Sequence, residues 1–365
     1  RHTATPPRHQ NRAFSLPALL AHLAPSPDSA AAQSSTVTES GEYGDTPLGE
    51  YRGAMATTHP AWFKQSFLEF EEDIDEAAAE GKRLMLYFHQ DGCPYCNLLV
   101  EHNFTDEVLG KKVQKHFDVV TINMWGDREV IQVGGRPFTE KTLAAALNVN
   151  FTPTLLFFSE ERDVVLRLDG YLPPEDFDQA LDFVAGRLEK KQTFTEFRAA
   201  SATRPESGGI RKLAQTLDAP YDLSALSGER PVAVLFEEAN CANCDLLHDK
   251  TLKDPAAAPL LGEIDIVQLD RWSDTPVRLH DGTEVTAQRW ATALGISYLP
   301  AILLLDPTGK EILKINAQFR TFHILGALDY AISGAWRQEP SFQRYLSARA
   351  EHLREQGIDV DIWKY

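Results

Sequence analysis

The sequence feature that most constrains the fold is a pair of cysteines that follows a buried strand. The apolar run Leu84–Phe88 predicts the strand, a glycine-containing turn follows it, and Cys93 and Cys96 come at the predicted start of a helix. Pro153 enters another apolar strand 60 residues after Cys93. This order of a strand, two cysteines at a helix start and a later strand entered by proline is typical of a thiol-based redox site.

The chain contains this block twice. Cys241 and Cys244 follow the apolar run Val232–Phe236, and Pro300 enters another apolar run 59 residues after Cys241. Matching residues lie 147 or 148 positions apart, and they include the pairs Cys93 with Cys241, Trp125 with Trp272, Leu147 with Leu294 and Pro153 with Pro300. Because each unit is long enough to bury its own core, the repeat predicts two domains rather than a solenoid.

Composition shifts and periodicity divide the chain further. The predicted regions are a signal-like or disordered N-terminal segment at 1–56, a first domain at 57–190, a linker at 191–209, a second domain at 210–336 and a C-terminal helix at 337–365. A helix is expected over 60–79, because its apolar residues follow a 3.6-residue period. We expect residues 34–55 to be a flexible lead-in and the C-terminal helix to pack on one of the two domains.

The charge and the apolar content exclude some functions. The formal net charge of −17 argues against nucleic acid and anionic membranes as partners, because both favour Lys and Arg. The sequence has no run of about 18 apolar residues, so we predict no membrane span.

The first residues resemble a secretory signal. A basic stretch at 1–12 precedes a short apolar stretch at 13–24 and a patch of small residues. We therefore expect the protein to be periplasmic or otherwise exported. A disordered tail rich in Pro, Ala and Ser is the alternative interpretation.

Two cysteines at a helix start suit disulfide exchange. The first thiol is expected at the exposed end of the helix, where free backbone N–H groups and the helix dipole favour a thiolate, and the second lies one turn later. Exchange needs such a nucleophile and a resolving thiol already in place. Cys93 and Cys241 are thus the candidate nucleophiles, and Cys96 and Cys244 are the candidate resolving thiols.

Other roles for the cysteine pairs remain open. In a zinc ribbon, the second pair comes about 15–20 residues after the first, whereas 144 residues separate Cys96 from Cys241 here. A soft metal such as Cu(I) is more credible on one pair, above all on Cys241 and Cys244, because thiolates select such ions. A purely structural disulfide is a further alternative. Apart from such a metal, no cofactor is expected beyond the redox-active disulfides.

A predicted hairpin accompanies each cysteine pair. The strand before each pair and the next strand along the chain are joined by a helix, so they run parallel and end at one edge of the sheet. The hairpin follows the second of these strands, which brings Trp125 or Trp272 close to the cysteines. Each Trp is either a core aromatic or part of a substrate-binding platform.

The two repeats resemble the thioredoxin superfamily over most of residues 57–336. The first repeat is most similar to the periplasmic thioredoxins of bacterial sulfur-oxidation (Sox) clusters, through Gly92–Cys96, Phe151–Thr154 and Gly170–Pro174. The resemblance implies an α/β fold of two tandem thioredoxin-like domains, each with a central mixed sheet flanked by helices. It also implies a thiol–disulfide oxidoreductase whose partner is a protein thiol or disulfide, with sulfur oxidation as the suggested setting.

The same resemblance implies substrate-binding residues. Pro153 is expected to be cis and to face Cys93, while the backbone of Thr152 pairs with the substrate chain. Leu299 and Pro300 hold the equivalent positions in the second repeat.

The sequence also departs from the family pattern. Tyr87 and Leu235 stand where thioredoxin has a buried Asp, and Glu237 and Glu238 are expected to raise the pKa of Cys241. The first domain is therefore expected to be the better enzyme, with the second as an electron relay or a partner-docking module. The alternative function is a soft-metal-binding or interaction protein that uses Cys241 and Cys244.

Overall fold

The computed structural model describes residues 47–202, 209–226 and 228–365. The elements up to residue 202 are β1 (Tyr51–Arg52), α1 (Phe70–Ala79), β2 (Arg83–His89), α2 (Pro94–Leu98), α3 (Leu109–His116), β3 (Phe117–Asn123), β4 (Glu129–Ile131), β5 (Pro137–Thr139), α4 (Glu140–Ala146), β6 (Thr154–Phe158), β7 (Val164–Asp169), α5 (Pro174–Ala185) and α6 (Phe194–Ser201). A π-helical turn, Leu99–Phe104, continues α2, and a short 3₁₀ helix, Leu188–Lys190, follows α5.

The rest of the chain repeats this order. Its elements are β8 (Tyr221–Asp222), β9 (Val232–Glu237), α7 (Ala242–Leu246), α8 (Ala257–Leu261), β10 (Asp265–Asp270), β11 (Pro276–Arg278), β12 (Glu284–Thr286), α9 (Ala287–Ala293), β13 (Ala301–Leu305), β14 (Glu311–Ile315), α10 (Thr321–Ile332), α11 (Phe342–Glu355) and β15 (Val360–Asp361). The 3₁₀ helices Leu223–Ala225 and Ala335–Arg337 and the π-helical turn Leu247–Thr251 complete it.

Each repeat forms a four-stranded mixed sheet. The strand orders are β3-β2-β6-β7 and β10-β9-β13-β14. In each sheet the first two strands are parallel and the last two are antiparallel to their neighbours. The tandem α/β architecture expected from the sequence is therefore confirmed.

The strand β2 shows why the sheet has two buried faces. Its alternate side chains enter different layers: Leu84 and Leu86 pack with Phe70 of α1, whereas Met85 and Tyr87 pack with Phe177 of α5. Each face is covered by helices, which explains a continuous apolar run instead of alternation with polar residues. Sheet and helices together place Cys93 just beyond the end of β2.

The two domains share one apolar layer. It joins residues of the first sheet to Phe319 and to residues of α10 and α11. Tyr171 and Gln318, which are equivalent residues of the two repeats, form a β-bridge across the interface. Beside them, a Cβ on Gly170 would lie 2.6 Å from the Cβ of Ala317, so this close contact requires glycine.

The prediction of one helix over 60–79 is wrong in its first half. The helix α1 begins at Phe70, and Leu68 has a positive φ of 65°, which breaks the helical path. Phe63 packs in the layer opposite to Phe70, with its ring 5.1 Å from that of Phe104. Phe67 is 94% exposed, so the apparent 3.6-residue period did not mark one buried face.

The predicted linker at 191–209 contains a helix. The helix α6 has a capping box between Thr193 and Glu196, and the ring of Phe194 lies 5.4 Å from that of Phe183. Arg198 pairs with Asp176 of the first domain and donates to the backbone oxygen of Ser297 in the second, which fixes this segment to both. Residues 203–208 of the predicted linker lie outside the described residues.

Both chain ends depart from the prediction. Residues 1–46, with the signal-like stretch, lie outside the described residues, but 47–55 are not a free lead-in: β1 pairs in parallel with β15. The C-terminal helix α11 packs on both domains, because the ring of Phe342 lies 5.6 Å from Phe151 and 5.3 Å from Tyr330. No helix in the described ranges has the length and apolar character to cross a membrane.

Candidate active site

The local backbone places the two cysteine pairs alike. Cys93 and Cys241 are the N-cap residues of α2 and α7, and each is joined to the second cysteine of its pair by a disulfide. The residues just before them, Gly92 and Asn240, both have a positive φ and turn the chain into the helix. The repeat therefore preserves the strand, the turn and the helix start.

Each first sulfur receives a backbone hydrogen bond. The N–H of Cys96 donates to the Sγ of Cys93 at 3.0 Å, and the N–H of Cys244 donates to the Sγ of Cys241 at 3.1 Å. A hydrogen bond to the charged form lowers the pKa of a group. On reduction, these N–H groups would favour a thiolate on Cys93 and Cys241.

The proline elements lie where the family resemblance expected them. The Thr152–Pro153 and Leu299–Pro300 peptide bonds are both cis. The backbone oxygen of Thr152 lies 3.5 Å from the Sγ of Cys93, and the Oγ1 of Thr152 donates to that sulfur at 3.3 Å. Thr152, which precedes the cis-proline Pro153, thus contacts the candidate nucleophile Cys93. The substrate-binding roles of these residues stay predictions.

The sequence placed Cys93 at an exposed helix start, and this is wrong. Cys93 is 4% exposed, and Pro94, Tyr95 and Thr152 are buried as well. This burial comes from elements distant in the sequence, namely residues 319–323 around the start of α10 and the segment 342–365. We call the segment 342–365 the C-terminal cap, and the cap together with residues 319–323 the cover. The N-terminal segment adds a backbone bond of 3.2 Å from Met55 to Gly92.

Tyr95, between the two cysteines, anchors the cover. Its hydroxyl accepts a bond from the backbone N–H of Arg320 at 2.9 Å and lies 3.4 Å from the Nδ1 of His323. Burial lowers the pKa of His323 to about 4, so this imidazole is neutral at pH 7. The guanidinium of Arg320 lies 3.7 Å from the ring centroid of Trp363, which fixes the chain end over the site.

A second anchor passes through Gln90, three residues before Cys93. Its Nε2 donates to the Oγ1 of Thr152 at 3.0 Å and to the Oε1 of Gln343 at 2.8 Å. The Nε2 of Gln343 donates to the backbone oxygen of Asn150 at 3.0 Å. One amide of the C-terminal cap is therefore built into the loop that carries Thr152.

The hairpins lie at the edge of the sheet predicted for them. Strands β4 and β5 pair, as do β11 and β12. The indole N–H of Trp125 donates to Gln90 at 2.8 Å, and that of Trp272 donates to Glu238 at 2.7 Å. Trp125 is half-buried and Trp272 is buried. Each Trp thus holds the residue three positions before its cysteine pair, whereas a role in substrate binding stays a prediction.

The second site is open at its first cysteine. Cys241 and Pro300 are half-buried and Ala242 is exposed, whereas the resolving Cys244 is 5% exposed. Tyr365, the last residue, reaches the flank of this site beside Asn243. Nothing comparable to the C-terminal cap covers Cys241 in the described part of the chain.

A buried polar cluster lies beneath the second site. The carboxylate of Glu237 accepts a bond of 2.6 Å from Gln268 and lies 2.8 Å from the Nε2 of His248, and all three residues are buried. Both acids that the sequence placed near Cys241 therefore have defined partners, since Glu238 binds Trp272. Their effect on the pKa of Cys241 stays a prediction.

Sequence reasoning missed the residues that close the first site. Gln343, His323, Arg320 and Trp363 come from the second domain or from beyond it, and no local pattern marks them. Gln90 could have been found, because it and Glu238 lie 148 positions apart, which is the offset of the cysteines.

No cluster of three or more His, Cys, Asp or Glu side chains suited to a metal ion occurs among the described residues. A Cu(I) ion held by Cys241 and Cys244 alone needs only two sulfurs, so this alternative stays a prediction.

Comparison with known proteins identifies the family. The model of the thioredoxin-like domain matches residues 70–185 and 221–332, which together make up more than half of the chain. The chain therefore belongs to the thioredoxin-like domain family and carries two copies of that domain. No curated protein gives a significant match.

Solved structures of the same fold are similar at low identity. A thioredoxin-fold protein from Helicobacter pylori is 14% identical with a TM-score of 0.30, and the match covers 34% of this chain and 84% of that one. A thioredoxin from Thermus thermophilus is 22% identical with a TM-score of 0.25, and the match covers 38% of this chain and 87% of that one. The first two thioredoxin domains of Saccharomyces cerevisiae Eps1p are 13% identical with a TM-score of 0.23, and the match covers 74% of this chain and 98% of that one.

Proposed function

We propose that the protein is a thiol–disulfide oxidoreductase with exchange sites at Cys93/Cys96 and Cys241/Cys244. In a reduced site, the first thiolate attacks one sulfur of a substrate disulfide, which forms a mixed disulfide and releases one substrate thiol. The second cysteine then attacks the first, closes the internal disulfide and releases the other substrate thiol. The reverse sequence oxidises a dithiol substrate.

The observation that carries this proposal is the arrangement common to both repeats. In each, a disulfide closes the pair at a helix start, and the N–H of the second cysteine points at the sulfur of the first. A structural disulfide needs no such donor at one sulfur. A site that must hold a thiolate benefits from it.

The open position of Cys241 supports the second domain as the place where a protein partner docks. Electron transfer from there to Cys93 is the relay version of the same proposal. A partner from sulfur oxidation and an exported, periplasmic location are further proposals. They rest on the sequence resemblance and on residues 1–46.

Cu(I) binding at Cys241 and Cys244 is the second candidate, favoured by the access that solvent has to Cys241. A redox titration of the protein with and without a Cu(I) chelator separates the two functions. A midpoint that the chelator leaves unchanged supports exchange, and a shifted midpoint with bound copper supports metal binding.

Trapping tests the proposal directly. Cys96→Ser and Cys244→Ser each remove one resolving thiol, so a partner that reacts at that site should remain attached as a mixed disulfide. Mass spectrometry of the trapped species identifies the partner and the cysteine. The matched controls are Cys93→Ser/Cys96→Ser and Cys241→Ser/Cys244→Ser, which should trap nothing at the altered site. Absence of any mixed disulfide in both resolving-cysteine variants would contradict the proposal.

A further inference from the structure

The two exchange sites differ in what can reach them. A protein disulfide must lay a stretch of chain beside the nucleophile, but Cys93 is 4% exposed and Thr152 is 3% exposed. The C-terminal cap and the start of α10 occupy the space where that stretch would lie. A protein partner can therefore reach Cys93 only after this cover has opened.

The cover is held in place by aromatic contacts and by amide hydrogen bonds. The ring of Phe151, next to Thr152, lies 4.8 Å from Phe319 and 5.6 Å from Phe342. Gln343 donates to the backbone oxygen of Asn150 and accepts from Gln90. Opening the cover would break these aromatic and amide contacts together, so the open form is rare.

A cleft nevertheless remains beside Cys93. It has a volume of about 120 Å³ and is bounded by Cys93 and Thr152 on one side and by Leu346, Ser347 and Ile362 of the C-terminal cap on the other. Pockets for drug-sized ligands measure about 300–1,000 Å³. The cleft is therefore smaller than such pockets and suits a small molecule better than a peptide segment.

The charge around the cleft restricts the ligand further. Among the residues that line it, Asp91 carries a carboxylate, and none is Lys or Arg. His323 also lines the cleft, and burial lowers the pKa of this imidazole to about 4. The guanidinium of Arg320, in the same cover, lies over the rings of Trp363 and Tyr365 and does not line the cleft. At neutral pH, the residues that line the cleft therefore carry no positive charge that would repel a cationic thiol, and a neutral thiol is not affected. An anionic thiol is repelled by the carboxylate of Asp91.

We propose that the Cys93 cleft is a substrate site for disulfides of small, cationic or neutral thiols, and that protein disulfides react at Cys241. This inference rests on the proposed exchange function. In the reduced first site, the Cys93 thiolate attacks one sulfur of the small disulfide and expels one small thiolate, which takes a proton. The Cys96 thiolate then attacks Cys93 and expels the second, so two protein thiols are oxidised while one disulfide is reduced to two thiols.

The test measures each site alone in the reduced chain of 365 residues. Cys241→Ser/Cys244→Ser leaves the first site, and Cys93→Ser/Cys96→Ser leaves the second as the matched control. Each variant is mixed with cystamine, 2-hydroxyethyl disulfide or 3,3′-dithiodipropionate, which are cationic, neutral and anionic, and separately with insulin. Quenched-flow alkylation and mass spectrometry give the oxidation rates.

At the first site, we expect cystamine to react at least about tenfold faster than the anionic disulfide, after correction for the same ratio at the second site. Insulin should oxidise the first site at least about tenfold more slowly than the second, because access then requires the cover to open. Insulin that oxidises both sites at the same rate overturns the inference.

Two substitutions locate the effect in the cleft. Ser347→Trp, at its exposed rim, should slow oxidation of the first site by the neutral disulfide about tenfold, because the added ring fills the entrance. Asp91→Asn should lower the cystamine preference, whereas Asp245→Asn, beside the other pair, should leave it in place.

An unchanged rate in Ser347→Trp, with its second site reacting normally, contradicts the inference. If neither site reacts with any disulfide, the proposed function itself fails.

Discussion

The two cysteine pairs have the same local structure and different surroundings. Cys93 and Cys241 both cap a helix, both follow a residue with positive φ and both accept a bond from the N–H three residues on. Cys93 is nevertheless buried, while Cys241 is half-buried beside an exposed Ala242. On the function proposed above, the motif sets the chemistry of each pair, and the elements packed over it set which molecules can react.

The origin of the difference lies outside the repeat. The equivalent segments around Tyr171 and Gln318 meet almost symmetrically. The chain then continues past the second repeat into α11 and β15, and this extra segment covers Cys93, whereas at the second site only its Tyr365 reaches the flank, beside Asn243. A duplicated domain can thus become two different sites without any change in its Cys-x-x-Cys spacing.

The largest expected effect comes from breaking the cover. Phe342→Ala should lower the free energy of unfolding by about 3–5 kcal/mol, because it removes a fully buried ring that contacts both domains. Urea denaturation measures this loss. Phe67→Ala is the matched control, since Phe67 is 94% exposed and a surface change costs about 0.5 kcal/mol or less. Equal losses in the two variants would mean that α11 does not stabilise the interface.

The next effect concerns the polar cluster beneath the second site. His248→Ala should cost about 1–3 kcal/mol, because the buried carboxylate of Glu237 loses a partner. The midpoint of urea unfolding reports it, with His352→Ala, an exposed histidine of α11, as the control. If both variants unfold at the wild-type midpoint, Glu237 is satisfied without His248.

The sequence predicted the fold better than the access to the sites. The duplicated strands and helices follow from apolar runs and turns, which are local signals. The C-terminal helix was also expected, but its contact with both domains was not, because Phe342 meets Phe151 and Tyr330 only after folding. The helix predicted over 60–79 from the spacing of its apolar residues was wrong in its first half for a related reason. A positive φ at Leu68 breaks the helical path, and the side-chain pattern alone does not show this.

A third effect separates the sites by activity. With insulin as the substrate, Cys241→Ser should lower the rate of disulfide reduction at least about tenfold, an effect worth about 1.4 kcal/mol, while Cys93→Ser changes it less. The sequence analysis predicted the opposite, namely that the first domain is the better enzyme, because Glu237 and Glu238 are expected to raise the pKa of Cys241. Turbidity from reduced insulin measures the rate. A greater loss in Cys93→Ser would restore the original order and show that the cover opens readily.

The smallest effect is a dependence on pH. His323 in the cover has a pKa of about 4 when folded, below its value of 6.5 in the unfolded chain. The unfolded state therefore binds the proton first, and stability falls as the pH drops from 6.5 towards 4. In His323→Gln, the loss between pH 7 and pH 5.5 should be smaller by about 1 kcal/mol. Urea denaturation at the two pH values measures it, and parallel losses in variant and wild type would exclude His323 as the cause.

The most direct measurement compares small and bulky thiol reagents on the fully reduced protein. Iodoacetamide and a maleimide attached to a large polymer are applied separately, and peptide mass spectrometry follows Cys93 and Cys241. The structure predicts that iodoacetamide modifies both residues, with Cys93 ahead of Cys96. The polymer reagent should modify Cys241 and leave Cys93 intact until urea opens the cover. Modification of Cys93 and Cys241 by the polymer at equal rates in the native protein would contradict the account.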